Sequence, residues 1–237
     1  MTLLRNALTV DVEEWFHICG VPHLLPRERW DDMDSRVQVD VRRVLALLKS
    51  HDVGATFFVL GYVAERHPAL VKEIAAAGHE VASHGMEHVR LYEESPDAFR
   101  RELRQSLDLL GGILGERPRG FRAAEWSVRK DTIWALEMLK AEGLDYDSSM
   151  TPVKVVGDPA FAEDLHLQET SRGPLAELPP LSKRYWRYLN HAVRETPYDL
   201  DGELVGPLGG AKGRICPQNV DPIRVRRLEH EQRPRAP

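Results

Sequence analysis

Cysteine is scarce in this chain: two residues in 237, Cys19 and Cys216, far apart and with no CxxC spacing. That excludes a disulfide framework and a zinc knuckle, and it fits a reducing compartment. An excess of basic residues is missing as well. The formal charge is −5, which leaves no electropositive face for nucleic acid, so no nucleic-acid partner is expected. Nothing approaches the roughly 18 consecutive apolar residues of a membrane helix. The opening MTLLRNALTVDVEEW lacks a charged start followed by an apolar stretch, which argues against a secretory leader. The expectation is a bacterial cytoplasmic protein without a membrane span. Internal repeats and long low-complexity tracts are also lacking, and 42% hydrophobic residues suffice for one sizeable core.

What is present is an alternation of strand and helix signals. Residues 7–12 form a short β-prone run, and ATFFVL (55–60) is apolar enough for a strand buried on both faces. Glu80 to Ser83, Gly120 to Ala124 and Leu144 to Ser148 read as further strands. Between them, Ser35 is placed to cap a helix to about Ser50, with Val37, Val41, Val44, Leu45 and Leu48 on one stripe. Pro68 opens a helix that Gly78 ends, Ser95-Pro96 starts a long one, and Ser127 is placed to cap another that runs to Glu142. Alternation of this kind predicts parallel strands with crossover helices, in a barrel or a doubly wound sheet. The irregular stretch from Trp15 to Asp34 is long for a compact domain, which marks it as functional.

Several residues of chemical interest fall at the predicted strand ends. Asp11 and Glu13 are two apart on a strand, so they share a face, although a solvated acidic turn would read the same way. His84 and His88 follow the strand Glu80 to Ser83. They converge if the residues between them make one helical turn, or they are two unrelated surface histidines among the ten in the chain. Two histidines and one carboxylate leave open positions for water, as catalytic metal sites do. Arg122 sits inside an apolar strand, where an arginine requires a carboxylate partner, catalytic or merely structural. Trp126 could stack on a sugar ring or pack in the core, and Asp147 could line the same mouth or serve a turn.

The motifs TVDVEEWFH, ATFFVLG, GHEVASHGMEH, RGFRAAEWSV and YDSSM, in that order, resemble the polysaccharide deacetylase family, with NodB homology, also known as carbohydrate esterase family four. The resemblance is nearest to the subgroup linked to exopolysaccharide loci, and it covers roughly residues 7 to 181. It implies a distorted (β/α)7 barrel holding a divalent ion: zinc, or else cobalt or nickel. It further implies a hydrolase that removes N-acetyl groups from an acetylated amino-sugar polysaccharide or oligosaccharide. By the same resemblance Asp11 matches the catalytic base and Arg122 the arginine that orients it. His84 and His88 match the metal histidines, and Glu13 stands where the family usually has a metal-binding aspartate. Trp126 and Asp147 are the candidate substrate-binding residues on position alone, outside what the resemblance implies.

The sequence departs from the family at two places. After Arg122 the common proline and aromatic are replaced by Ala124, Glu125 and Trp126. The late strand ending in Leu-His, whose histidine is the family's general acid, has no counterpart, and neither His191 nor His230 follows a buried strand. The last 48 residues hold six prolines, five glycines and seven arginines, with Tyr198 the single aromatic. The expected organisation is a catalytic domain over residues 1–183 and a poorly ordered tail over 184–237, with barrel closure atypical or missing. Two other readings remain: a catalytically impaired carbohydrate-binding relative, and a metal-dependent amidohydrolase acting on small cyclic amides.

Overall fold

The computed structural model describes residues 7–21 and 23–180. Its strands are β1 (Thr9–Val12), β2 (Thr56–Val59), β3 (Glu80–Ser83), β4 (Gly120–Phe121), β5 (Tyr146–Asp147), β6 (His166–Gln168) and β7 (Leu175–Glu177). They form one sheet in the order β1-β2-β3-β4-β5-β7-β6. All neighbours pair in parallel except β6, which runs antiparallel to β7. Among the described residues β1 and β6 are the two edges, so this is an α/β barrel sheet left open. The expected tail, including His191, His230 and Cys216, lies outside the described residues.

The helices are α1 (Val37–Ser50), α2 (Gly61–Arg66), α3 (Pro68–Ala76), α4 (Pro96–Leu114) and α5 (Trp134–Ala141). They cover the outer face of the sheet. The TFFV run of β2 is buried at all four positions, because it lies between β1 and β3 with side chains packed on both sides. Phe57 and Phe58 point to opposite faces, as strand neighbours must. Phe57 packs outward with Val41 and Leu48 of α1 and Leu70 and Ile74 of α3. Phe58 points inward and meets Ala82, Tyr146 and Ala176, from β3, β5 and β7. That small cluster is the floor beneath the strand ends.

Two caps differ from the sequence expectation. Ser35 does not cap α1; its hydroxyl donates to Glu14 instead. The buried Glu14 carboxylate takes over the helix terminus, accepting from Arg36 N at 3.0 Å and Val37 N at 3.5 Å, where a negative charge also suits the helix dipole. Ser127 likewise begins no helix, because α5 starts only at Trp134, and its hydroxyl accepts from Leu91 N at 3.1 Å. Ser95 does cap α4, accepting from Ala98 N at 3.3 Å.

Glycine is required at one point of the floor. A Cβ on Gly120 would stand 2.0 to 2.5 Å from Tyr146 ring atoms, so the empty position on β4 is what admits the Tyr146 ring. We expect Gly120→Ala to destabilise the fold by about 1–3 kcal/mol through overpacking, read as a shift of the urea midpoint. An unchanged midpoint would show that Tyr146 can leave the floor without loss.

Candidate active site

Every parallel strand except β2 delivers a polar side chain at or just past its C-terminal end, the end at which α/β folds carry their sites. Strand β1 supplies Asp11 and, one residue past its end, Glu13. His84 follows β3, Arg122 follows β4, Asp147 ends β5 and Glu177 ends β7. Arg122 therefore lies just beyond its strand rather than inside it.

Glu13, His84 and His88 come together, each with one ligand-capable atom within 4.8 Å of the others. The segment from His84 to His88 is a loop rather than the helical turn considered from the spacing. It turns at Gly85 (φ 78°) and again at His88 (φ 54°), a left-handed value uncommon for a residue with a side chain. His84 Nδ1 lies 2.8 Å from the Arg122 carbonyl and must donate to it, leaving Nε2 with a free lone pair. His88 Nδ1 faces Cys19 Sγ at 3.4 Å, and its Nε2 approaches Glu13 Oε2 to 2.8 Å. Glu13 Oε2 is nonetheless buried without a hydrogen bond.

These features fit a divalent cation. Two imidazoles and a carboxylate are a zinc-type donor set, the histidine nitrogens facing away from the cluster are engaged by a carbonyl and a thiol, and the carboxylate oxygen is unsatisfied. Burial pushes His84 below the usual imidazole range. For His88 burial acts in the same direction, but the contacts with Cys19 and Glu13 outweigh it and lift the ring to about 10.

Arg122 joins Asp11 to the rest. Its Nη1 donates to Asp11 Oδ1 at 2.7 Å and Thr9 Oγ1 at 3.0 Å, its Nε to Ser148 O at 3.1 Å and its Nη2 to Ser148 Oγ at 2.7 Å. The guanidinium lies over the Phe58 ring at 4.1 Å. Asp11 keeps 26% of its side-chain surface and Glu13 31%, so both open to solvent. Trp126 is 38% exposed and is the second of two consecutive left-handed residues, after Glu125. Left-handed backbone at two successive non-glycine residues costs energy, and it marks a segment shaped for something other than stability.

Asp147 is not at the mouth. It is fully buried and accepts from Ser149 Oγ at 2.6 Å, so the expectation that it touches substrate is corrected. Its partner is Glu177, directly across the β5–β7 register and equally buried, which accepts from Ser149 N at 3.2 Å and Met150 N at 3.0 Å. Sequence reasoning missed Glu177, and it also missed His17. The His17 ring is buried against Trp30, Tyr62 and His88, accepts from Glu14 N at 3.0 Å, and is pushed down to about 3 by burial and by the neighbouring His88. Its position inside TVDVEEWFH was the available signal.

The open strand ends thus bear a histidine–carboxylate cluster beside an arginine-held aspartate. Residues 29–144, just under half of the chain, match the polysaccharide deacetylase family. The matched span takes in His84, His88, Arg122 and Trp126. The chain is 33% identical over 96 residues to a peptidoglycan-N-acetylglucosamine deacetylase of Bacillus cereus, covering 40% of this chain and 35% of that one. It is 32% identical over 127 residues to a peptidoglycan deacetylase of Helicobacter pylori, covering 51% and 42%. The chain thus spans less than half the length of these curated relatives. A solved structure of a Mycobacterium smegmatis protein assigned as a polysaccharide deacetylase superposes with a TM-score of 0.60 at 31% identity, covering 73% of this chain and 57% of that one. An allantoinase structure shares the fold alone, with a TM-score of 0.54 at 17% identity, covering 79% and 70%. Among the described residues no helix is long and apolar enough to cross a membrane.

The Asp147–Glu177 pair generates a pH prediction. Burial raises both carboxyls above their ordinary values, and the charge of Asp147 raises Glu177 further. The folded chain therefore keeps a proton that the unfolded chain releases above its ordinary carboxylate pKa. This contribution to stability is greatest at or below that pH and is lost as pH rises toward the folded value, by about 1.4 kcal/mol per pH unit for one retained proton. Glu177→Gln should therefore gain stability relative to wild type on going from pH 5 to pH 8 in urea unfolding series. A wild-type-minus-variant difference that is flat with pH would mean that the pair holds no extra proton.

Proposed function

We propose that the chain is a metal-dependent hydrolase that removes N-acetyl groups from amino-sugar polymers or oligomers. The observation that carries this reading is the joint placement of the Glu13–His84–His88 cluster and the Arg122-held Asp11 at the ends of neighbouring strands. The match of residues 29–144 to the polysaccharide deacetylase family and the deacetylase names of the relatives support it. Residues 1–183 constitute the catalytic unit in this reading.

Glu13, His84 and His88 would hold the cation, with zinc the best match to two imidazoles and one carboxylate. A divalent ion bound there supplies Lewis acidity and lowers the pKa of water. Asp11 acts as the general base, its carboxylate turned toward the strand ends and fixed by Arg122 Nη1. Arg122 cannot give up its own proton, so it orients Asp11 without competing for the proton that Asp11 receives. Trp126, with its exposed indole past the strained turn, offers a flat apolar face to a sugar ring.

The roles of the two β1 carboxylates separate experimentally. Asp11→Asn should leave metal content near wild type while lowering acetate release from chito-oligosaccharides, assayed with zinc or cobalt, by roughly 100-fold or more. Equal metal loss in Asp11→Asn and Glu13→Ala would make Asp11 a ligand instead of the base. His84→Ala and His88→Ala should each weaken metal binding by roughly 10-fold or more, measured by chelator competition. Full metal occupancy in the double variant would sink the ligand assignment, and a metal-loaded wild type that releases no acetate would sink the catalytic one.

A further inference from the structure

We infer that Glu102, on α4, is a positioning residue that holds the backbone between His84 and His88 in the one shape that brings the two imidazoles together. This rests on the metal reading of that pair.

The loop does not hold its shape through regular secondary structure. It is five residues long, reverses direction through the left-handed Gly85, and ends at a left-handed His88, a conformation that backbone sterics disfavour for histidine. Such a shape persists only where neighbours over-determine it. One neighbour is Glu102, whose Oε1 accepts from Met86 N at 2.8 Å and from Glu87 N at 2.6 Å. A single carboxylate oxygen thus gathers two successive amides, which is how a charged acceptor fixes a tight turn. One helical turn on, and on the same face of α4, Ser106 Oγ contacts Ser83 Oγ at 2.8 Å, and Ser83 Oγ in turn accepts from Gly85 N at 3.1 Å.

The opposite side is gripped by the start of α2. Gly61 N donates to Gly85 O at 2.8 Å and Tyr62 N to Met86 O at 3.0 Å. A Cβ on Gly61 would lie 2.1 Å from Met86 Sδ and 3.0 Å from its Cα, so the two backbones are already in close contact. The amides of Gly85, Met86 and Glu87 therefore point toward α4, and the carbonyls of Gly85 and Met86 toward α2.

Burial and the neighbouring Glu102 charge push the Glu94 carboxyl up to about 8. The side chain of Glu87 is engaged elsewhere, accepting from Arg27, so the Glu102 contact is made with the backbone alone. Glu102 acts on the loop through the backbone amides of Met86 and Glu87, which makes its effect one of positioning.

The test uses the full chain loaded with Co2+, whose visible absorption band reports ligand geometry. Glu102→Ala and Glu102→Met, the latter keeping side-chain length, both remove the acceptor. Glu102→Gln retains a carbonyl oxygen that can accept the same two amides. The expected result is a Co2+ affinity roughly 10-fold or more below wild type with an altered band in Glu102→Ala and Glu102→Met. Glu102→Gln should keep the wild-type band and an affinity close to wild type. Wild-type affinity and band in the alanine and methionine variants overturn the inference, and so does a glutamine variant as weak as alanine. Unfolding of both acceptor-deleted variants, seen by far-UV circular dichroism while Glu102→Gln stays folded, would reduce Glu102 to a stability residue and overturn the inference too. A wild-type chain that takes up no Co2+ would remove the metal reading itself, and this inference would fall with it.

Discussion

A guanidinium buried at the centre of a sheet end must have its donors satisfied, and Arg122 meets that demand by drawing four strands together. Only 5% of its side chain is exposed. Its partners come from β1 (Thr9 and Asp11) and from the residue after β5 (Ser148), while Phe58 of β2 lies beneath it. Ser148 Oγ passes the connection on to Leu178 O, just after β7, at 2.8 Å. Removing one partner of such a buried pair leaves an uncompensated charge, at a typical cost of about 3–5 kcal/mol. The side chain that orients Asp11 is therefore also what fixes the relative placement of the strand ends. Even the backbone of Arg122 takes part, since its carbonyl sets the tautomer of His84.

The same residue types perform different tasks around this centre because their surroundings differ. Asp11 is paired with a cation and opens to solvent, whereas Asp147 is fully buried across from Glu177, and burial raises both carboxyls. Glu14 is buried as well, yet three donors at the start of α1 surround it: Ser35 Oγ, Arg36 N and Val37 N. Desolvation and the donors within reach, not the chemistry of the carboxylate alone, set these groups apart.

That principle explains which parts of the molecule could be read from sequence. The strand–helix alternation was legible because periodicity and buried apolar runs are local signals, and β2, α3 and α4 fall where the pattern placed them. Asp11, Glu13, His84, His88 and Arg122 stood out because polar residues directly after apolar strands are costly without a reason. The burial of Asp147 was not legible. A DSSM turn reads as surface, and nothing local announces that Glu177, 30 residues later, will sit across from it on β7. Ser35 misled for a related reason. The better acceptor for the α1 terminus, Glu14, comes from 23 residues before Val37, and no capping box can register a donor–acceptor pair so far apart.

The long connection from Glu13 to Arg36 is the least regular part of the domain, yet it builds one wall of the cluster. Phe16, Trp30 and Tyr62 pack edge to face around His17, and that aromatic group anchors the loop to α2. Anchored in this way, the loop returns Cys19 to His88, where Sγ lies 3.3 Å from the His88 carbonyl and 3.4 Å from Nδ1. A thiol in that position donates S–H to the carbonyl and accepts from the ring N–H, which leaves Nε2 facing Glu13. The two histidines are thus held by different means. His84 takes its orientation from a backbone carbonyl of the sheet. His88, reached through a strained loop, takes it from a cysteine in the connection between β1 and α1. The loop is long because it must cross from β1 to the far side of His88 and return to α1, and its irregularity follows from carrying an orienting side chain at its turning point.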